Sequence, residues 1–381
     1  MGIIEALSHQ RNWQPFRIDA LGLITLLGAS ELDSTVGQLF FPNIIEFLPL
    51  LAPFIISNNS FMRPIAGVTL YNITDGIMAT DVSGWVVRWL MNQELSWSSA
   101  TLIISSRSAF QMEGNIVEGE CGQEIAKKIS KHIMWHNAWS RLFGPSGSQV
   151  MGVIIGTAAM IPMMLMPLLQ RDWLGIFNAT ALLLTVMTRV LAVRLNRKAV
   201  SESVSKGLGK SERGREMVKL VATLPDGKLL TIHCQRGILK HTLLSAPRPQ
   251  KMKYRLVLGV GWIALSCHVV CIGMASLIDQ MVCVVIMIAS TIIFVAIARR
   301  GLQDNDNCGA VYRVGVGDGV MSWRLSAEHE DGRSLAYARL GLTEEEERTM
   351  CHWHLFPMRS NQAWWEIYYK RLENRKNNTG V

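Results

Sequence analysis

The sequence predicts an α-helical integral membrane protein with two transmembrane hairpins and a small α+β part on the cytosolic side. Three observations support this fold class. Hydrophobic residues make up 49% of the 381 residues, charged residues only 18%, and the mean hydropathy is positive at +0.21. Four apolar stretches are each long enough to cross a bilayer, which takes roughly 20 residues. The net charge of +8 is concentrated in one loop. This composition excludes a disordered chain, a coiled coil and a small disulfide-stapled domain.

Residues 1–148 form the least regular part of the sequence. The stretch 39–56 is apolar over 18 residues, but it contains Asn43, Glu46 and three prolines. It fits a fifth, broken span, a re-entrant segment or an interfacial piece. The four expected spans therefore become five if this stretch crosses the membrane.

Two amphipathic helices are predicted in the same region. Asp81 is a suitable cap for a helix that runs to about Gln93. The run 123–142 places isoleucines on one face with lysines around it. Such a basic amphipathic helix is expected to rest on the anionic cytosolic leaflet or to dock on a soluble domain.

Four stretches are predicted to be transmembrane helices, because lipid offers no partner to an unpaired backbone amide. Their approximate bounds are 149–170, 173–193, 256–278 and 281–298. Gly152 and Gly156 form a GxxxG pattern, which indicates close backbone packing or a chance pair of glycines. Arg189 lies near one end of the second stretch and is expected to extend its charge to the membrane surface.

The spacing of the four stretches predicts two hairpins, 149–193 and 256–298. Only Arg171 and Asp172 separate the first pair, and only Asp279 and Gln280 separate the second pair. Connections of two residues force consecutive helices to run antiparallel, so both turns face the same side.

Basic residues near the helix ends predict the orientation of the hairpins. The turn side carries Arg171 alone, whereas the opposite ends carry many Lys and Arg residues. Because cytosolic loops are enriched in Lys and Arg, the loop 194–255 and the tail 299–381 are expected in the cytosol. Between residues 195 and 254 there are 13 Lys or Arg against 4 Asp or Glu.

The cytosolic segments are predicted to contain a small sheet and two helices. Two β-rich runs, 217–224 and 228–235, flank a Pro-Asp-Gly turn and form a hairpin. This hairpin needs partner strands, and the runs 310–314 and 320–327 are candidates. The pattern Thr343 to Glu346 is typical of a capping box. A last helix over 361–374 carries Trp and Tyr residues that suit either the membrane interface or packing against the sheet.

Few residues qualify as catalytic or metal-binding candidates. His268 is an ionisable group near the centre of a span, which favours a functional hypothesis, but a neutral histidine bonded to a neighbouring helix is the simpler interpretation. His132 and His136 have the i, i+4 spacing of metal ligands, yet a surface pair is more common. The side chains of Cys351, His352 and His354 are expected to point in different directions on a helix. One metal ion is therefore not expected to bind all three.

No cofactor or metal site is predicted. Gly315, Gly317 and Gly319 indicate a turn rather than a phosphate loop, because no Lys-Ser/Thr pair and no helix follow them. Asn58, Asn72, Asn178 and Asn377 match the glycosylation pattern, and Asn178 lies inside a span.

The expected partners follow from the charge distribution. The basic loop is predicted to lie next to the membrane, where the closest negative charges are those of anionic lipid headgroups. Anionic lipids are therefore the expected partners, and binding of nucleic acid is not expected. Further expected partners are a second copy of the chain, in a homo-oligomer, or a protein that binds the cytosolic part.

Four short phrases resemble a group of uncharacterised multi-pass membrane proteins of filamentous fungi. They are TLPDGK, APRPQK, ARLGLTEEEE and SNQAWWEIYYKR, and the resemblance covers roughly the last 240 residues. The resemblance implies a fungal origin, and it implies an accessory role beside enzymes of secondary metabolism.

Three functions are consistent with the sequence. A non-catalytic membrane anchor or accessory protein agrees best with large polar segments and no reactive constellation. One alternative is a membrane-bound tailoring enzyme acting on an apolar metabolite, with His268 or the pair of His132 and His136 in its site. The other is a small-molecule transporter. Spans with almost no charge argue against ion coupling in a transporter.

Overall fold

A computed structural model describes residues 44–51, 66–84, 86–87, 99–106, 147–208, 212–225, 227–245, 248–300, 311–312, 320–326 and 333–379. The chain divides into two compact units. The helical unit comprises Met1–Phe61, Trp139–Ala199 and Arg248–Gly301. The α+β unit comprises Met62–Ala138, Val200–Pro247 and Leu302–Val381.

Four long helices confirm the four predicted apolar stretches as helical segments. Their bounds are Gly147–Gln170 (α1), Trp173–Leu208 (α2), Lys251–Met274 (α3) and Leu277–Arg300 (α4). In the part of the chain that the structure describes, these four are long and apolar enough to cross a membrane. Helix α2 continues beyond its predicted end at residue 193, and the division between the two units falls within it.

The turn between α1 and α2 lies at Arg171 and Asp172, as predicted. Arg171 adopts a left-handed conformation with φ 52°. Its N–H donates to the carbonyl of Leu168 at 3.3 Å, and the N–H of Asp172 donates to that of Pro167 at 2.9 Å. This is the Schellman arrangement, which satisfies the last carbonyls of a helix.

The turn between α3 and α4 differs from the prediction. The helices separate at Ala275 and Ser276 rather than at Asp279 and Gln280, so Asp279 belongs to the first turn of α4. Ser276 caps α4, because its hydroxyl oxygen accepts from the N–H of Asp279 at 3.3 Å. The spacing Ser-x-x-Asp therefore begins the helix four residues before the position that hydropathy indicated.

Residues 44–51 do not form a continuous spanning helix. A 3-10 helix covers Ile44–Phe47 and ends before irregular backbone at residues 48–51. Phe47 packs against Gly156 of α1, where an added Cβ would lie 2.5 Å from the Phe47 Cβ. The close approach that the GxxxG pattern predicted therefore occurs at Gly156, and its partner is this segment. The rest of the stretch 39–56 lies outside the described residues.

The α+β unit is built on a mixed sheet with seven strands in the described residues. The strands are Thr69–Asn72 (β1), Ile77–Ala79 (β2), Ser99–Ser106 (β3), Met217–Thr223 (β4), Leu229–Gln235 (β5), Val311–Tyr312 (β6) and Val320–Ser326 (β7). Their spatial order is β2-β1-β4-β5-β3-β7-β6. All neighbours are antiparallel except β3 and β5, which are parallel.

The predicted hairpin forms the middle of this sheet. Strands β4 and β5 pair from Met217 opposite Gln235 to Thr223 opposite Leu229. Gly227 in the connecting turn has φ 77°, a conformation that favours glycine. Strands β6 and β7 are confirmed as a pair, but β3 lies between them and β5. The prediction of a sheet from two distant segments is therefore incomplete, because the segment before α1 supplies β1, β2 and β3.

Three helices follow the sheet in sequence, Arg333–Leu340 (α5), Glu344–His352 (α6) and Gln362–Thr379 (α7). The capping box at the start of α6 is confirmed, since Thr343 and Glu346 exchange both hydrogen bonds. Helix α6 ends at His352, before the predicted stop near residue 356. Side chains of the sheet and of the three helices form one apolar cluster, which includes Val221, Leu229, Tyr337, Met350 and Tyr368.

The aromatic residues of α7 belong mainly to this cluster. Trp365 and Tyr368 are buried, and both rings lie about 5 Å from the ring of Phe356. Arg359 lies over the Trp365 ring at 3.8 Å from its centroid. Of the two predicted environments, packing within the α+β unit is the one observed for these side chains.

Two predicted helices fall mostly or entirely outside the described residues. The run 123–142 is one of them. The helix expected to follow Asp81 begins at Gly84, after Ser83, whose carbonyl accepts from Val86 and Val87. The rest of this predicted helix, apart from residues 86 and 87, lies outside the described residues.

Candidate functional site

The first candidate position lies between α2 and α3. His268 is completely buried, and its Nδ1 lies 2.7 Å from the Oδ1 of Asn178. The two side chains are therefore within hydrogen-bond distance of each other, across two neighbouring helices. The other ring nitrogen, Nε2, is buried and has no partner among the described residues. The contact with a neighbouring helix that the simpler interpretation of His268 requires is present, and the functional hypothesis stays a prediction.

A second buried polar position holds the segment 44–51 in place. The guanidinium of Arg189 donates to the carbonyl oxygens of Glu46 at 2.6 Å and Leu48 at 2.5 Å. The Thr291 hydroxyl accepts from the N–H of Leu51 at 3.2 Å. These contacts satisfy backbone groups that an irregular segment leaves unpaired.

Arg189 was predicted to extend its charge to the membrane surface, and this prediction is wrong. Its relative exposure is only 2%. An interior position is favourable here because two carbonyl oxygens accept from the same guanidinium. Arg197, two turns further along α2, forms a salt bridge with the carboxylate of Glu46.

A third position lies where the two helical hairpins turn, and we call its four residues the tip cluster: Gln170, Asp172, Ser276 and Asp279. Asp172 accepts from the N–H of Leu174 at 3.1 Å and from the N–H of Ser276 at 3.0 Å. The Ser276 hydroxyl lies 2.7 Å from an Asp279 oxygen and 3.1 Å from the Gln170 amide. All four residues are buried, so this position gathers more buried polar atoms than the other two.

The α+β unit has a charged contact at the start of α6. Lys219 of β4 lies 2.7 Å from Glu346 and also donates to the carbonyl of Gly341 at 2.6 Å. Burial acts to raise the pKa of the Glu346 carboxyl, but hydrogen bonds from Lys219, Thr343 and Thr74 together with the Lys219 charge lower the pKa below its ordinary value. The contact attaches the cap of α6 to the sheet.

The remaining predicted positions do not form a site in the described residues. His132 and His136 lie outside them. Cys351 is half-buried, His352 and His354 are exposed, and no group of three or more His, Cys, Asp or Glu suited to a metal occurs in the described ranges. Asn72 is buried and bonded to Asp75 through both amide atoms, which makes it a poor glycosylation acceptor in the folded chain.

Sequence reasoning missed the partners of the buried polar groups. Asn178 stood out only as a glycosylation match, although a polar residue on an apolar helix signals a hydrogen bond to a neighbouring helix. The tip cluster was signalled by two aspartates near the hairpin turns, but only the fold brings them together.

The comparisons with known proteins do not identify a relative. A scan against protein-family models and searches of curated proteins and of solved structures returned no match. The function must therefore be inferred from the geometry of the chain itself.

Proposed function

We propose that this chain is a multi-pass membrane protein that anchors one α+β domain at the cytosolic surface and acts there as a non-catalytic accessory protein. The observation that carries the proposal is the origin of the sheet strands. Strands β1 to β3 precede α1, β4 and β5 lie between α2 and α3, and β6 and β7 follow α4. Hydrogen-bonded strands must share one compartment.

Each helical hairpin must consequently return to the side from which it entered. A pair of helices joined by a two-residue turn meets this requirement if both helices cross the bilayer. The chain then crosses the bilayer twice between β3 and β4, and twice again between β5 and β6. The strand order thus supports two complete hairpins, independently of hydropathy.

The exposed surfaces of the four helices support a lipid environment. Large apolar side chains point outward from each helix, among them Ile154, Leu184, Ile263 and Ile292. An apolar surface this extensive is not stable in water. Trp173 is 72% exposed beside the first turn, and exposed tryptophan is typical of the membrane–water boundary.

Basic side chains support the cytosolic assignment of the α+β unit. Lys198 on α2 and Lys251, Lys253 and Arg255 on α3 are exposed at the ends opposite to the turns. Each cation near an anionic leaflet contributes on the order of 1 kcal/mol to membrane attraction. An anchor with lipid contacts through the loop 194–255 is the function that agrees with this distribution. The accessory role in biosynthesis that the resemblance implies stays a prediction.

Labelling of single introduced cysteines tests the arrangement. Arg171→Cys places a thiol in the first turn, and Glu345→Cys places one at an exposed position of α6. In sealed cytosolic-side-out vesicles, a membrane-impermeant maleimide is expected to label Glu345→Cys directly and Arg171→Cys only after permeabilisation. The unsubstituted chain gives the background from its own cysteines.

Two results would contradict the proposal. Labelling of both positions from the same side would show that α1 and α2 do not separate the turn from the α+β unit. Extraction of the chain from the vesicles by alkaline carbonate would show that it is not integral. The assay requires no knowledge of a partner or substrate.

A further inference from the structure

The helical unit contains a buried positive charge that the described residues do not balance. Arg189 of α2 is 2% exposed, and a guanidinium stays charged in a protein. One of its terminal nitrogens, Nη2, donates to the carbonyl oxygens of Glu46 and Leu48. These acceptors are neutral. Among the described residues, no carboxylate forms an ion pair with Arg189.

The carboxylate of Glu46 does not remove this charge. It forms a salt bridge with Arg197, two turns further along α2. Arg189 and Arg197 together carry two positive charges and Glu46 carries one negative charge, so one positive charge remains at this position among the described residues. Buried charges are ordinarily paired, because the loss of hydration is costly.

Arg189 also has hydrogen-bond donors to offer. Its other terminal nitrogen, Nη1, is buried and has no partner among the described residues. This nitrogen carries two N–H groups, both of them donors. Guanidinium N–H groups bond most strongly to the oxygens of phosphate and carboxylate groups. Nη1 is therefore an indication of an anionic ligand that is independent of the charge count.

Arg194 extends the position to the surface of the helical unit. Its side chain is exposed, and its guanidinium lies over the ring of Phe47, 5.9 Å from the centroid. Phe47 stands between the two residues whose carbonyl oxygens accept from Arg189. Three arginines of one helix thus contact residues 46–48, and we call Arg189, Arg194 and Arg197 the arginine cluster.

The position of the arginine cluster along α2 indicates the kind of anion. Because an α-helix rises 1.5 Å per residue, Arg189 lies about 24 Å and Arg197 about 36 Å from the start of α2 at Trp173. The hydrocarbon core of a bilayer is about 30 Å thick. In the proposed topology, the cluster therefore brackets the boundary between hydrocarbon and headgroups on the cytosolic side, where lipid phosphates lie.

We propose that the arginine cluster binds the phosphate group of one acidic phospholipid, with Arg189 Nη1 and Arg194 as donors. The headgroup must be net negative, because a zwitterionic headgroup brings its own positive charge and leaves the excess in place. The inference rests on the proposed membrane location of the four helices. It concerns one lipid at a defined position, in contrast to the general attraction of the loop 194–255 to an anionic leaflet.

The experiment uses the full chain, purified in detergent micelles and washed until a phosphorus assay detects no residual phospholipid. Thermal unfolding is followed while dioctanoyl phosphatidic acid is added, in parallel with dioctanoyl phosphatidylcholine and with inorganic phosphate. We expect a saturable rise of several degrees in the unfolding temperature with phosphatidic acid alone. The phosphatidylcholine series tests the net charge of the headgroup, and the inorganic phosphate series distinguishes a lipid from a free anion.

Matched variants assign the effect to the arginine cluster. Arg189→Gln removes the charge but keeps an amide donor for the carbonyl oxygens, and it should abolish the rise. Arg194→Gln changes an exposed side chain, so it should fold normally and bind the lipid several-fold more weakly. Lys198→Gln removes an exposed positive charge from the same helix outside the cluster, and it should respond like the unsubstituted chain.

Four outcomes would overturn the inference. The first is an unfolding temperature that phosphatidic acid does not change. The second is an equal rise with phosphatidylcholine, and the third is an equal rise with inorganic phosphate, which would show a site for a free anion. The fourth is a rise that persists unchanged in both Arg189→Gln and Arg194→Gln. None of these outcomes bears on the labelling pattern expected for the membrane anchor, so the two proposals fail separately.

Discussion

At the scale of single residues, buried polar side chains form hydrogen bonds between segments that are distant in sequence. The Nδ1 of His268 is within hydrogen-bond distance of Asn178, and Arg189 donates to two carbonyl oxygens of an irregular segment. Buried non-helical backbone needs protein groups that satisfy its N–H and C=O groups. The hydrogen bonds from Arg189 to the carbonyl oxygens of Glu46 and Leu48 do this for the segment 44–51.

The lowered pKa of Glu346 is expected to make the folding stability of the α+β unit fall in acid. Its folded-state pKa lies below the unfolded value of about 4.3. The stabilisation is therefore fully present above that pH and is lost as the pH falls through the folded-state pKa. Lys219→Met should raise this pKa, lower the stability near neutral pH by on the order of 1 kcal/mol, and flatten the loss below pH about 4.3.

Acid titration of the folded chain, followed by tryptophan fluorescence, measures this effect. Lys240→Met is the matched control, because Lys240 is exposed and lies outside the Glu346 contact. Equal changes in the two variants would mean that general charge, and not the contact between Lys219 and Glu346, controls the acid response.

At the scale of elements, local capping and close packing decide where the helices end and what they contact. Ser276 starts α4 and Thr343 starts α6, each through a hydrogen bond to the third residue of its helix. Hydropathy identified α3 and α4 as apolar but placed the turn four residues too late. Apolar residues continue through the turn, so only the capping pattern marks the boundary.

The contact between α1 and the segment 44–51 gives a test at this scale. Gly156→Ala would bring its Cβ within 2.5 Å of the Phe47 Cβ and 2.7 Å of the Phe47 carbonyl oxygen. Because backbone atoms cannot move aside easily, we expect a loss of about 1–3 kcal/mol in the free energy of unfolding.

Gly259→Ala is the control for this substitution. An added Cβ at Gly259 of α3 meets nothing within 4 Å. Alanine is the better helix former by up to about 1 kcal/mol, so this variant should be as stable as the original chain or slightly more stable. Thermal unfolding in detergent compares the two variants, and an equal response would argue against the close contact with Phe47.

At the scale of the whole molecule, the α+β unit is assembled from three distant segments. The β4–β5 hairpin supplies the middle of the sheet, and the C-terminal helices bury one face of it. The edges of this hairpin pair with β1 and β3, which precede α1, whereas Val221 and Leu229 of the hairpin pack against residues of the C-terminal helices. Removal of the C-terminal segment should therefore expose these side chains and destabilise the hairpin.

Truncation tests this dependence. A chain ending at Gly301 lacks β6, β7 and α5 to α7, and it exposes Val221 and Leu229. Burying one such side chain contributes about 1.5–3 kcal/mol, so even a single loss raises the open population about tenfold or more. We expect trypsin to cleave at Lys219, Lys228 and Arg236 much faster than in the full chain.

The control for truncation is a chain ending at Asn374, which keeps the apolar cluster of the α+β unit. Mass spectrometry of the tryptic fragments identifies the cleavage sites in both chains. Unchanged protection of the β4–β5 hairpin in the shorter chain would show that the hairpin is stable without the C-terminal helices.

The sequence by itself determined the features that depend on neighbouring residues. Four apolar stretches, the two-residue turn at Arg171 and Asp172, the Pro-Asp-Gly hairpin and the capping box at Thr343 could all be predicted, because each depends on local composition and spacing. The aromatic residues of α7 could be identified as important, but their environment could not be assigned, since the same pattern suits lipid and protein interiors.

Only the tertiary structure decided which distant residues meet. It placed β3 between β5 and β7, gave Arg189 two carbonyl partners from the segment 44–51, and brought the Asp172 carboxylate to the N–H of Ser276 in the other helical hairpin. None of these contacts leaves a periodic or local signal in the sequence. They arise because the chain must pair its buried polar groups and strand edges, and the partners it finds are set by the fold.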